Sequence, residues 1–240
     1  MESGARFLTA TDLSTVTSTK QEAYGTVGAT GDGRRFRYVQ YGGTVTGGNL
    51  VIAPSLVANH QNVAVQTAAP IGATTVFVTL GATAATQDQY AEGSLIVGVA
   101  GSGVPQIRKI KGNTAGGSGA VIQVFLDGRE PLITGLTTAN VVSLSPSLFN
   151  GAVASSTAGL PIGVAVASTT ANTWGWVQTY GPCQAVNDAG ATLTALTKIK
   201  QSTTVAGAVV ASAAATDVQV GTVVQSTAVS TAGLIVINLD

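Results

Sequence analysis

TTVFVTL, residues 74–80, alternates without a break: Val76, Val78 and Leu80 fall on one side of an extended chain, and Thr75, Phe77 and Thr79 on the other. A period of two with one apolar side marks a half-buried strand. No window of a dozen residues beyond the N-terminal region shows the 3.6-residue apolar spacing of a helix. Outward from this segment, strand-like runs recur between breaks of Gly, Asn, Asp or Pro. They are RRFRYVQY (34–41), NLVIA (49–53), GSLIVGV (93–99), QIRKIK (106–111), AVIQVFL (120–126), ANVVSLS (139–145), IGVAVAS (162–168), TWGWVQTY (173–180), DVQVGTVVQS (217–226) and AGLIVINL (232–239).

Composition points the same way. Aromatic residues make up only 5% of the chain, so a core has to be built from Val, Ile, Leu, Ala and Thr. The β-branched members of that set pack well on a pleated surface and are poor helix formers. The expected fold class is all-β, with antiparallel β-barrel or sandwich modules and an extended N-terminal arm. Charged residues are 9% of the chain, against about 25% in an ordinary soluble domain, and eleven cations balance eleven acids. Such a surface repels its neighbours weakly, as expected of a part docked in an assembly.

Three regions are expected. Residues 1–31, rich in Thr, Ser and Gly without sustained period, form the arm; within it TDLSTVTSTKQEAYG allows a short helix capped by Thr11 or Asp12. Residues 66–148 form an inserted β-rich module with the longer Gly-rich turns, ending at SLSPSLFNG, where Pro146 and Gly151 punctuate. Residues 32–65 and 149–240 form a barrel or sandwich domain. Its later part holds a weak internal repeat, IGVAVASTTANTWGWVQ from Ile162 and VGTVVQSTAVSTAGLIVIN from Val220, each reading as a hairpin.

Reactive groups are scarce. His60 is the single histidine and lies in a polar connector, as a solvent-exposed or hydrogen-bonded residue. Cys183 is the single cysteine and reads as a buried thiol. Two such residues cannot build a zinc site, and one cysteine forms no intrachain disulfide. GATGDG and AGGSGAV lack the G-x-x-x-x-G-K-[ST] spacing of a phosphate loop and read as hairpin turns. No G-x-S-x-G elbow occurs. Asp127 and Glu130 in FLDGREPL are close enough for acid–base work, but a tight D-G turn with Arg129 and Glu130 at its rim explains them more simply. No catalytic, cofactor or metal residue is therefore assigned. No signal peptide or membrane helix is expected.

DGRRFRYVQYGG (32–43) divides its cations in an extended chain: Arg34, Phe36 and Tyr38 point one way, and Arg35, Arg37 and Val39 the other. A nucleic-acid surface gathers cations on one face and raises the net charge. The arginines suit contact with a protein surface instead. The paired tryptophans of TWGW, Trp174 and Trp176, read as packed aromatics rather than a sugar platform.

Taken in order, the segment running into DGRRFRYVQYGGTVTGGNLV, the module APIGATTVFVTLGATAATQDQYAEGSLIV ending in PSLFNG, and LPIGVAVASTTANTWGWVQTYGPC resemble the decoration (cement) and head-fibre proteins of tailed bacteriophages. The resemblance covers most of the chain and rests on order and spacing. It implies a non-enzymatic homotrimer, made in the host cytoplasm, that binds the major capsid protein on the outer surface of the virion head. It implies no cofactor, nucleic acid or membrane partner. The residues it suggests for shell or subunit contact are Arg6, Phe7, Arg34, Arg35 and Arg37. A tail-fibre or receptor-binding module and a tail-tube subunit are the alternatives.

Overall fold

The computed structural model describes residues 4–98, 104–188, 190 and 192–240. Apart from one short helix and a single 3-10 turn, the regular structure is β, and the chain divides into two compact units, residues 1–54 with 148–240, and residues 55–147.

The smaller unit is a closed six-stranded barrel. Its strands are β5 (Val63–Val65), β6 (Thr75–Thr79), β7 (Ser94–Val97), β8 (Gln106–Asn113), β9 (Val121–Leu126) and β10 (Val141–Ser145), and they close in the order β10-β5-β6-β9-β8-β7 with antiparallel pairing throughout. The alternation of TTVFVTL decides its orientation, with Val76 and Val78 facing inward and fully buried. They pack with Leu95, Ile110, Ile122, Val124, Leu126 and Leu144. Closure leaves no free strand edge. The unit begins eleven residues before the expected module (66 − 55), because β5 pairs with β6 and β10 rather than with the larger unit.

The larger unit is an eleven-stranded sheet that holds β1 (Arg6–Phe7), β2 (Val27–Ala29), β3 (Arg35–Tyr41), β4 (Leu50–Ile52), β11 (Asn150–Ala152), β12 (Pro161–Ala165), β13 (Thr173–Val186), β14 (Lys198–Gln201), β15 (Val209–Ala211), β16 (Gln219–Val223) and β17 (Ala232–Asn238). Its spine is β13, fourteen residues long, which pairs with β3 through its first half and with β17 through its second. A register shift between Gln178 and Tyr180, followed by Gly181 at φ 94°, bends the strand between its two partners. The buried amide of Gln178 donates to the carbonyls of Tyr180 (3.1 Å) and Pro182 (2.8 Å), satisfying acceptors that the bend exposes. Two pairings are parallel, β1 with β2 and β11 with β3.

The N-terminal segment differs from the expected extended arm. β1 and β2 extend the sheet beyond β3, and α1 (Ala10–Ser14) lies between them in sequence. Leu8 and Leu13 are buried in a cluster with Phe36, Tyr38 and Trp176. The packing is tight enough that a side chain at Gly28 would meet Leu8 Cδ1 at 2.3 Å. The helix cap is Thr9, not Thr11 or Asp12: Thr9 Oγ1 accepts from the Asp12 amide while the Asp12 carboxylate accepts from the Thr9 amide, a reciprocal capping box. The following Thr15-Val16-Thr17, all β-branched, carry the chain back to extended geometry.

The repeat glimpsed near the C-terminus is wider than two hairpins. Isolated bridges join Val45 with Thr169 and Leu193 with Thr227 in the larger unit, and Ala69 with Leu136 and Ala85 with Gly116 in the barrel. Each bridge is a reciprocal pair of backbone hydrogen bonds between two connectors, as in Ala85 N to Gly116 O and Gly116 N to Ala85 O, both 2.9 Å. The residue three positions on has positive φ in seven of these eight connectors: Gly48, Gly72, Asp88, Gly119, Asn172, Leu196 and Ser230. The hairpins from Ile162 and Val220 are two members of this set.

Candidate functional site

The five arginine and phenylalanine positions suggested for surface contact all lie in the larger unit, and the structure separates them by what holds them. Arg6 is tied to Asp12 (2.8 Å) and Glu22 (2.6 Å), Arg34 to Asp32 (2.8 Å), and Arg37 to Asp240 (2.9 Å) and the Gly25 carbonyl (3.1 Å). These guanidiniums brace the unit's own chain. Phe7 and Arg35 remain outward, with Phe7 69% exposed.

Register brings those two together. Phe7 pairs with Ala29, Ala29 with Arg35, Arg35 with Tyr180, and Tyr180 with Asn238, so five strands place these side chains in one row on one face. The Arg35 guanidinium carbon stands 5.6 Å from the Tyr180 ring centroid, within cation–π range. The next row is Pro182, Val236, Thr222 and Lys198, and beyond it Gln184 pairs with Leu234. Leu234 and Val236 are each 39% exposed, and Tyr180 42%. The opposite face of the same strands is core, with Cys183, Ala185, Ile235 and Ile237 buried together. The result is an outer face on which Phe7, Tyr180, Pro182, Val236 and Leu234 stand among the polar Asn238, Thr222 and Gln184, with Arg35 and Lys198 as the charges in these rows. The sequence signalled Phe7 and Arg35; Tyr180, Pro182, Leu234 and Val236 were readable as strand residues but not as neighbours of either.

The DGRRFRYVQYGG strand carries its cations only at its start. Its apolar side chains are buried on both faces, Phe36 and Tyr38 against Trp176, and Val39 and Tyr41 in a second cluster with Val51, Ala152 and Val177. Burial pushes the Tyr41 hydroxyl far above its ordinary range. Trp176 is buried and meets Tyr38 edge-on at 5.2 Å, and partly buried Trp174 packs against the same cluster. TWGW is thus core, and it offers no open platform.

The scarce reactive groups are equally committed. His60 is fully buried: its Nε2 donates to the Thr83 carbonyl (2.9 Å), which requires Nδ1 to accept from the Tyr90 hydroxyl. Burial raises that hydroxyl to about 12. Cys183 is buried, and burial pushes its thiol up to about 12 against the opposing pull of Arg34. Asp127 accepts from the Arg129 amide (3.0 Å) within the D-G turn, and Glu130 accepts from the Lys109 amide of β8 (3.0 Å). One carboxylate that the sequence did not flag, Asp188, is buried and accepts from Ser202 Oγ, Thr204 Oγ1 and the Gly190 amide, tying its own turn to the segment 202–204. Among the described residues no group of three or more His, Cys, Asp or Glu is placed to hold a metal ion, and no helix is long and apolar enough to cross a membrane.

Comparison with protein-family models, curated proteins and solved structures finds no match to this chain.

Proposed function

We propose that this chain is a virion structural protein that binds the major capsid protein on the outer surface of a tailed-phage head and stabilises the shell as a homotrimer. The observation that carries the reading is the outer face of the larger unit, where Phe7, Tyr180, Pro182, Leu234 and Val236 stand in adjoining rows with Arg35 stacked on Tyr180. Exposed apolar side chains clustered with an aromatic and an arginine are the composition of a protein interface. The trimer and the capsid partner rest on the family resemblance. Commitment of His60, Cys183 and Asp188 to internal hydrogen bonds or burial supports a role without a reacting centre.

The mechanism is mass action. A protein that binds assembled shell in preference to free subunits stabilises the shell by that difference in affinity. Three weak faces on one trimer act as a single tight unit.

Co-sedimentation with heads lacking the protein tests this reading. Because β1 and β2 belong to the sheet and Leu8 and Leu13 to its core, N-terminal truncation would disturb the unit itself; surface substitutions are the cleaner probe. The wild type is expected to pellet with heads, and Arg35→Glu combined with Val236→Asp to stay in the supernatant while retaining its far-UV spectrum. A wild type that ignores heads, or a double variant that binds as well, removes the proposal.

A further inference from the structure

A second surface feature lies on the barrel, and shell attachment does not call for it. The register of β8 shifts between Ile110 and Gly112, which makes Lys111 an extra residue on the outer wall and brings Gly112 beside Phe125 of β9. A side chain at position 112 would meet Asp88 Oδ1 at 2.4 Å, so its absence is what lets the carboxylate lie against the strand. Asp88 is held rigidly. Its amide donates to the Asn113 carbonyl (2.9 Å), its Oδ1 accepts from the Asn113 amide (3.2 Å), and fully buried Asn113 is itself bonded to Tyr90, Thr86 and Thr114.

These groups rim a hollow of about 510 Å³ lined by Thr74, Thr75, Asp88, Lys111, Gly112 and Phe125. That volume falls within the roughly 300–1,000 Å³ of small-molecule sites. Asp88 Oδ2 and Lys111 Nζ have no hydrogen-bond partner among the described residues, and the two charges make no ion pair with each other. The hollow is open to solvent, where a single ion pair contributes only about 0–1 kcal/mol, so charge alone does not define its ligand. What is distinctive is the combination: an aromatic wall, an acceptor-only carboxylate, a donor-only ammonium, and hydroxyls that do both. A pyranose ring presents the complement, an apolar C–H face edged by hydroxyls that each donate and accept.

We propose that this hollow is a carbohydrate site that takes one hexopyranose ring against Phe125, with Asp88 and Lys111 reading its hydroxyls. The sugar site and shell binding stand on different units and fail separately, since the assay contains no capsid.

The test is titration of the isotope-labelled full chain with methyl α-D-glucopyranoside, methyl α-D-galactopyranoside and methyl α-D-mannopyranoside in turn, followed by amide resonances. At least one sugar is expected to shift the amides of Asp88, Lys111, Gly112 and Phe125 saturably. Asp88→Asn and Lys111→Met should each weaken that binding about tenfold or more, the loss of one charge-assisted hydrogen bond. Lys111 is exposed, so its variant keeps the fold even where the Asp88 variant does not. Absence of saturable shifts with all three sugars, shifts centred elsewhere, or wild-type affinity in Lys111→Met overturns the site.

Discussion

Leu8→Ala tests whether the N-terminal segment is part of the larger unit's core. Leu8 is 2% exposed and packs with Leu13, Phe36, Tyr38 and Trp176. The substitution removes three carbons, about 2.4 kcal/mol at about 0.8 kcal/mol per buried methylene. The cavity it leaves adds to this, because β2 and β3 hold the surrounding walls in place; the expected loss is about 2.5–4 kcal/mol. A segment lying free of the sheet would lose under about 0.5 kcal/mol, as for an ordinary surface change. Urea unfolding followed by tryptophan fluorescence reads this selectively, since both tryptophans of the chain, Trp174 and Trp176, sit in β13 beside the cluster. A midpoint unchanged within that smaller margin, with the slope also unchanged, would refute the packing argument. Gly28→Ala should reproduce part of the effect from the other side, because the new methyl collides with Leu8.

Two further outcomes follow from the ionisable groups. The Lys200 ammonium, with help from the Ala214 amide and Ser212 hydroxyl, holds the Asp217 carboxyl down to about 2 from its usual 3.8. A depressed folded pKa means that the unfolded chain takes up the proton first as pH falls, so this contribution is present above about pH 4 and is lost on the way to pH 2. Asp217→Asn should flatten the acid limb of the stability curve in that window, and a curve unchanged in shape counts against the Lys200 contact. Cys183, with its thiol raised to about 12, should resist iodoacetamide at pH 8 in the native state and react on denaturation, as mass spectrometry would read. Rapid alkylation of the folded protein contradicts its burial.

Strand existence was legible wherever apolar residues alternated or ran together, as in TTVFVTL and AGLIVINL. β1, β2, β5, β11, β14 and β15 escaped notice because they span two to four residues, too few for a period of two to stand out from the connectors around them. The N-terminal segment read as an arm for a related reason. Its anchors are two isolated leucines, and their partners Phe36, Tyr38 and Trp176 are far along the chain. The paired connectors were hidden differently. Their bridging residues are Val, Ala, Gly, Leu and Thr, so what repeats is a backbone hydrogen-bond pattern that many side chains permit. Of the candidate interface, Phe7 and Arg35 were singled out beforehand, while Arg6, Arg34 and Arg37 proved to be engaged by nearby or terminal carboxylates.

The sequence by itself determined that this protein is built of strands, that its core is mainly aliphatic, and that its surface is poor in charge. All three follow from side-chain branching, volume and ionisation, properties that each residue carries wherever it lies. Only the tertiary structure decided that the middle strands close into a barrel while the outer ones share an open sheet. It alone placed Phe7, Arg35, Tyr180 and Val236 on one face. Those outcomes depend on strand register, and register is set jointly by packing between segments far apart in the chain, as where Arg35 pairs with Tyr180.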